Sequence, residues 1–216
     1  MKKKKILIIG CGGHAKSVCD SLLGNLEYQV VGFIDREENL RFSYNEISCI
    51  GTDDDLSFLY QNGIHYAALG IGYLGEGTIR EDIVHKLENI GFQMPAVIDA
   101  SAVIAKSVSI GKGVFIGKGA IINANAKVGK YCIINSGTIV EHDASIKEWS
   151  HIAVRASVCG EAQIGSRCFV GAGAIVAQTI CVADNAIIGA GAVVIQNVLP
   201  NTVSVGIPAK TIKKEN

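Results

Sequence analysis

Across residues 97–194 the aliphatic positions keep a period of six. Every sixth residue from Ile98, through Ile104, Ile110 and Ile116 to Ile188 and Val194, is isoleucine or valine without exception. Four residues after many of them stands a small side chain, as at Ala120, Ala126, Ala144, Ala156 and Ala174, with Cys132 and Cys168 in the same slot. Glycine often follows the aliphatic directly, as at Gly111, Gly117, Gly129, Gly165, Gly171 and Gly189, where the pattern predicts corners. An α-helix repeats its apolar residues near 3.6 and an ordinary strand at 2. A strict six belongs to a parallel β-helix, in which each hexad makes one short strand and one corner and the aliphatic side chains stack into a continuous core.

The first part of the chain has another rhythm. "ILIIG", "YQVVGFID" and "YAALGIG" read as buried strands. Between and after them, "HAKSVCDSLLGN", "DDLSFLYQNG" and "REDIVHKLENIG" read as helices. The first is predicted to bury Val18, Leu22 and Leu23; the second has Asp53 as a candidate N-cap and Gly63 as its stop; the third stops at Gly91. Strands alternating with helices predict a parallel sheet of βαβ units. The expected organisation is therefore a small Rossmann-like α/β domain over residues 1–94 and an all-β parallel β-helix over 95–216.

Charge and cysteine usage narrow the function classes. Twenty basic and twenty acidic residues leave no net charge, and no basic block follows Lys2–Lys5, so nothing predicts a nucleic-acid partner. The opening "MKKKKILIIGCGGH" has a basic start like a secretory signal, but its apolar run is short and ends in glycines. No apolar stretch is long enough to predict a membrane span. Seven cysteines without a CxxC pair predict reduced thiols and a cytoplasmic protein.

Two stretches carry candidate chemistry. In "INSGTIVEHDASI" His142 stands between Glu141 and Asp143, two places after Val140 and so outside the inward slot. Histidine is the side chain suited to take a proton near neutral pH, and a carboxylate beside it fixes its tautomer. Adjacent residues of an extended strand point apart, so the pair requires a turn at this point. The second stretch, "GCGGHA", sets Gly10, Gly12, Gly13 and His14 directly after the first strand. This is a tight turn into a helix whose N-terminal N–H groups suit a phosphate, although the glycines fall short of the full dinucleotide fingerprint.

Four stretches in order, "IIGCGGHAKSV" with "VVGFIDRE", "AVIDASAVIA", "INSGTIVEHDASI" with "SHIAV", and "GAGAVVIQNVLPNTVSVGIPAK", resemble the sialic acid O-acetyltransferase (NeuD-like) family of hexapeptide-repeat acyltransferases. The branch that N-acetylates nucleotide-linked amino sugars is the most similar. The resemblance implies a left-handed β-helix and a homotrimer with active sites between subunits. It also implies acetyl-CoA as co-substrate, a nucleotide-sugar acceptor and no metal. It makes His142 the base and Asp143 its partner, and leaves Glu141 a solvated residue without a role. It puts acetyl-CoA against His151, Gly160, Ala172, Gly173, Ala190 and Lys210, with a backbone amide near Gly160 for the oxyanion. The nucleotide-sugar falls to Gly12, Gly13, His14, Asp35, Arg36, Gly70 and Asn135, with Gly70 and Gly72 letting the backbone approach the ligand. Asp99-Ala100 and Val154-Arg155 depart from the family's usual His-Pro and Pro-Gly.

Other readings are O-acetylation of sialic acid or another hydroxyl, and a non-catalytic β-helix scaffold. A metal hydrolase of the γ-type carbonic anhydrase kind needs three histidine ligands, and the repeats contain two. A redox enzyme lacks its third glycine and a substrate domain.

Overall fold

A computed structural model describes residues 3–75 and 77–214. Lys2, of the basic opening run, lies outside the described residues. The chain divides into two compact units, residues 1–72 with 77–100 and residues 73–76 with 101–216. The division thus falls a few residues later than the change of sequence rhythm, and it gives the short segment around Tyr73 to the second unit.

The first unit is a five-stranded sheet in the order β3-β4-β2-β1-β5. Its strands are β1 (Lys4–Ile9), β2 (Tyr28–Ile34), β3 (Ser43–Tyr44), β4 (Ile47–Gly51) and β5 (Tyr66–Leu69). β1, β2, β4 and β5 are mutually parallel, which fits their near-continuous apolar runs, while β3 pairs antiparallel with β4. Sequence periodicity did not predict β3 and β4. They form a hairpin whose two turn residues, Asn45 and Glu46, both take positive φ, 49° and 63°. The helices are α1 (Gly13–Leu23), α2 (Leu56–Gln61) and α3 (Ile79–Ile90), the last ending on left-handed Gly91.

Two helix details differ from expectation. α1 buries Ala15, Val18, Cys19 and Leu22, whereas Leu23 is exposed because it falls at the last turn, past the buried stripe. α2 starts later than predicted: Asp55, not Asp53, is its N-cap, and the Asp55 carboxylate accepts the Thr52 N–H at 2.7 Å. The departure at Asp99 is structural. This carboxylate is buried and accepts the Ser21 hydroxyl at 2.7 Å, tying the end of the unit to α1.

The second unit is a three-faced parallel β-helix. From Val103 to Val194 each strand is two residues long and stacks on the strand one coil, 18 residues, away, as Ile121–Ile122 with Ile139–Val140, so three hexads close one coil. The first face runs from Phe115–Ile116 through Ile133–Ile134, His151–Ile152 and Phe169–Val170 to Ile187–Ile188, and ends in Thr202–Val205 with the antiparallel Lys210–Lys214. The second runs from Val103–Ile104 to Val193–Val194 and includes Ile139–Val140; the third runs from Ser109–Ile110 to Cys181–Val182.

The predicted slots take the predicted places. The sixth-position aliphatics from Ile116 to Val194 are at most 3% exposed, and the small residues Ala120, Ala144, Ala156, Ala174, Cys132 and Cys168 are fully buried. Polar side chains in the small slot bond upward. The Thr138 hydroxyl donates to Ala153 O at 3.1 Å, and the Ser150 hydroxyl to Gly165 O at 2.7 Å, each 15 residues on. Cys132 and Cys168 donate in the same way to Lys147 O and Ala183 O. Burial pushes the Cys168 thiol up to about 11, so it stays protonated and packs as a small apolar group.

The glycines that follow the aliphatic are not the corners. Left-handed backbone occurs two residues later, at Asn125, Asp143, Arg155, Glu161 and Gly173 among others. The directly following glycines are required by coil-to-coil approach. A Cβ on Gly129 would stand 2.6 Å from Glu148 N, and one on Gly171 would stand 2.5 Å from Ala190 N.

Candidate active site

His142 and Asp143 occupy the corner between the second and third faces. Asp143 takes φ 59°, and this supplies the turn that brings the adjacent side chains together. His142 Nδ1 lies 2.9 Å from Asp143 Oδ2, with both side chains about half exposed. A carboxylate only accepts, so in the neutral ring Nδ1 carries the proton and Nε2 keeps its lone pair. The hydrogen bond to Asp143 is the main cause holding the His142 pKa above the ordinary 6.5. Slight desolvation opposes it, and the charges of Asp143, Glu141 and Glu161 add to it. Asp143→Asn removes the charge and is expected to move the acid limb of the kcat/KM profile to lower pH, since that limb reports the base of the free enzyme. A pH-rate series on both proteins checks it.

Gly160 stands one coil above His142 at the same corner. A Cβ there would meet His142 Nε2 at 2.8 Å and Cε1 at 2.9 Å, so the missing side chain is what makes room for the imidazole. Gly160→Ala is expected to cost about tenfold or more in kcat by displacing the ring. The melting temperature should barely move, because the Gly160 backbone is not left-handed. Steady-state kinetics with a thermal melt separates the two.

Glu141 is not simply solvated. It is half-buried, accepts Asn123 Nδ2–H at 3.0 Å on one oxygen and faces the His142 N–H at 3.3 Å with the other. Asn125 donates to Asp143 Oδ1 at 3.2 Å. The sequence signal for both asparagines is at the coil length: "NAN" at 123–125 lies 18 residues before "EHD" at 141–143.

The other predicted residues of the second unit do not gather at this corner. His151 opens a strand of the first face and is 7% exposed. Its Nδ1 meets Tyr73 O at 2.5 Å and its Nε2 meets Asn135 Nδ2 at 3.2 Å, so the ring donates through one nitrogen and accepts through the other. As placed, both ring nitrogens are taken up by protein groups. Through Nε2 the ring meets Asn135, whose Oδ1 accepts the Ser136 N–H.

Ala172-Gly173 and Ala190-Gly191 stack one coil apart, with Gly191 N–H on Ala172 O at 2.8 Å, and their exposed surface is open around both glycines. They lie at the corner between the first and second faces, together with Arg155. The Arg155 Cγ is 3.2 Å from the Cβ position of Gly137 below it. Lys210 is exposed at the start of the last strand.

In the first unit, Gly12 caps α1 with no side-chain bond, and nothing lies within 4 Å of a Cβ on Gly12 or Gly13. No acidic residue occupies the first turn of α1, leaving its N-terminal N–H groups open to an anion. His14 is half-buried beside Gly72. Asp35 holds this loop: one oxygen accepts the Cys11 N–H at 2.5 Å and the other the Arg36 N–H at 2.7 Å. Burial pushes its pKa up, but hydrogen bonds from Arg36, Asn39 and Cys11 outweigh that and leave it lowered. Arg36 is exposed. At Gly70 the missing side chain makes room for packing, since a Cβ there would meet Ala15 Cβ at 2.7 Å and Ile8 Cγ2 at 2.8 Å.

Comparison with known proteins bears on both units. Residues 5–87 match the PglD N-terminal domain family, and residues 107–142 and 162–196 match the hexapeptide repeat of succinyl-transferase. A histidine-substituted perosamine N-acetyltransferase from Caulobacter crescentus, solved in complex with CoA and GDP-perosamine, is 30% identical over 97% of both chains with a TM-score of 0.91. The chain belongs to the PglD-type family of amino-sugar N-acetyltransferases. Another member, the acetyltransferase domain of PglB from Neisseria gonorrhoeae, solved in complex with acetyl coenzyme A, is 27% identical over 98% of this chain and 100% of that one, with a TM-score of 0.90. WeeI from Acinetobacter baumannii shares the fold at 24% identity and a TM-score of 0.60 over 97% and 100% of the two chains. A comparison with curated protein sequences gives no significant match. Membership makes this PglD-type protein a hexapeptide-repeat acetyltransferase with a left-handed β-helix. Among its described residues no group of His, Cys, Asp and Glu could hold a metal ion, and no helix is long and apolar enough to cross a membrane.

Proposed function

We propose that this protein transfers the acetyl group of acetyl-CoA to the amine of a nucleotide-linked amino sugar. The observation that carries the reading is the His142–Asp143 pair, with the proton on Nδ1 facing the carboxylate and Nε2 beside Gly160. The acceptor amine attacks the thioester carbonyl carbon. His142 Nε2 takes the proton from the attacking nitrogen, Asp143 stabilises the resulting imidazolium, and the carbon–sulfur bond breaks to release the thiol of CoA. No covalent enzyme intermediate is required. An oxyanion at this corner has the backbone near Gly160 as its nearest donor region.

Glu141, Asp143 and Glu161 favour a basic acceptor: an amino sugar arrives as an ammonium, loses one proton to solvent and attacks as the neutral amine, whereas a hydroxyl carries no such charge. This supports N- over O-acetylation. The open N-terminus of α1 behind Gly12, Gly13 and His14 supports a diphosphate-bearing acceptor. Ala172, Gly173, Ala190 and Lys210 supply open surface for the donor. That corner and the His142 corner border the same second face, whose outer side is an exposed apolar stripe of Val103, Ile121 and Ile175. A stripe of this kind supports burial against another copy, and so a homotrimer with the donor lying between subunits. Seven cysteines, none in a disulfide among the described residues, support a reducing, cytoplasmic setting, and the reaction supports a place in surface-glycan biosynthesis.

The test is thiol release from acetyl-CoA with UDP- and GDP-linked 4-amino-4,6-dideoxy sugars and with free sialic acid. Turnover on an amino sugar is the expected result. Turnover on sialic acid alone replaces the reading with O-acetylation, and no turnover with any acceptor leaves the fold as a binding scaffold.

A further inference from the structure

The column beneath the base is more ordered than a half-exposed pair requires. Asp143 lies directly above Asn125, and Asn125 above Ser107, each one coil apart. The Ser107 hydroxyl oxygen accepts the Asn125 N–H at 3.0 Å. The Asn125 side-chain amide donates to Asp143 Oδ1 at 3.2 Å, and Asp143 Oδ2 meets His142 Nδ1 at 2.9 Å. The neighbouring column repeats the device, with Asn123 donating to Glu141 Oε1 at 3.0 Å. Both carboxylates that flank the histidine are thus tied from the coil below by an asparagine.

We propose that Asn125 is a positioning residue for the transfer, fixing the Asp143 carboxylate so that its second oxygen faces His142. The proposal rests on the reading of His142 as the base. A carboxylate about half exposed to water otherwise rotates freely, and each rotamer that turns Oδ2 away leaves the imidazole without its orienting partner. An amide suits this task because it donates a hydrogen bond without adding charge. An aspartate at 125 would repel Asp143, and a lysine would compete with the imidazole for it. The site also suits asparagine conformationally. Residue 125 takes φ 60°, and asparagine is among the few residues that adopt left-handed backbone at low cost.

The test is Asn125→Gly, which removes the amide and keeps the left-handed corner, since glycine already fills the same place at Gly113 and Gly137. The charged groups facing His142, namely Asp143, Glu141 and Glu161, all remain. Three readouts are taken on the full chain: kcat and both KM values, the pH profile of kcat/KM, and the titration of the His142 imidazole by NMR. The expected result is a kcat lower by about tenfold with both KM values nearly unchanged. His142 titration and the acid limb should both move toward lower pH, because a swinging Asp143 no longer favours the protonated ring. Asn125→Asp should move them the other way by adding a negative charge. A merely structural role would lower the melting temperature and leave the titration where it was. Unchanged titration and kcat in a folded Asn125→Gly protein overturn the positioning role. His142→Ala, assayed alongside, separates the two ideas: if it stays fully active the base reading fails, and with it the catalytic part of the proposal.

Discussion

His142→Ala lowers kcat by about 10²–10⁴-fold, the usual contribution of a positioned general base, and leaves both KM values nearly unchanged. The proton taken by Nε2 leaves the amine only as the new bond forms, so the interaction exists in the transition state and not in the bound substrates. Residual turnover survives because bringing amine and thioester together does not depend on the imidazole. The fold should not register the change, since the side chain is 51% exposed and packs over a glycine. Thiol release measured beside a thermal melt decides it. A loss smaller than about tenfold with an intact melt would mean that another group takes the proton, and the reading of this corner would fail.

The second large effect is on stability. Gly129→Ala is expected to cost about 3 kcal/mol, the upper end of ordinary overpacking, because the added Cβ meets backbone and not a movable side chain. Its neighbours would be Glu148 N at 2.6 Å, Lys147 C at 2.8 Å and Glu148 Cα at 3.1 Å. Relief requires the coils to part, which breaks the Gly129 N–H bond to Ile146 O. Gly173→Ala is the matched control. Its φ is 66° but its Cβ would meet nothing within 4 Å, so only the left-handed strain of about 1 kcal/mol applies. Denaturant unfolding of both variants tests the ranking. If Gly173→Ala proves the more damaging, corner conformation outweighs coil packing and the assignment of the two glycine classes is reversed.

Much of the site was legible because the repeat is. The hexad pattern places Val140 inward, hence His142 two places on at a corner, and the turn required to join His142 and Asp143 is present. The asparagine contacts lie at the longer period of the coil. Asn123 and Asn125 are separated from Glu141 and Asp143 by 18 residues, and reading in hexads without folding them into coils hides that contact. In the first unit, Asp35 follows the second strand as the sequence indicated, yet its carboxylate holds the glycine loop through Cys11. A residue near a ligand loop and a residue that holds the loop carry the same sequence signature.

The amino-acid sequence by itself determined the fold class of both parts, the aliphatic core of the β-helix and the corner position of His142. These depend on local periodicity, which a β-helix repeats along its axis with every coil nearly the same. Only the tertiary structure decided which corner each residue occupies and what it meets there. It separated His151 and Asn135 from His142 onto the first face and spent the ring nitrogens of His151 on Tyr73 and Asn135. It also assigned Gly70 and Gly129 to close packing and Gly173 to a left-handed corner. The physical reason is that glycine and histidine are chosen by what lies within a few ångströms in space, and in this fold those neighbours come from about one coil away in the chain, as Glu148 to Gly129, or from distant segments, as Tyr73 to His151 and Ala15 to Gly70.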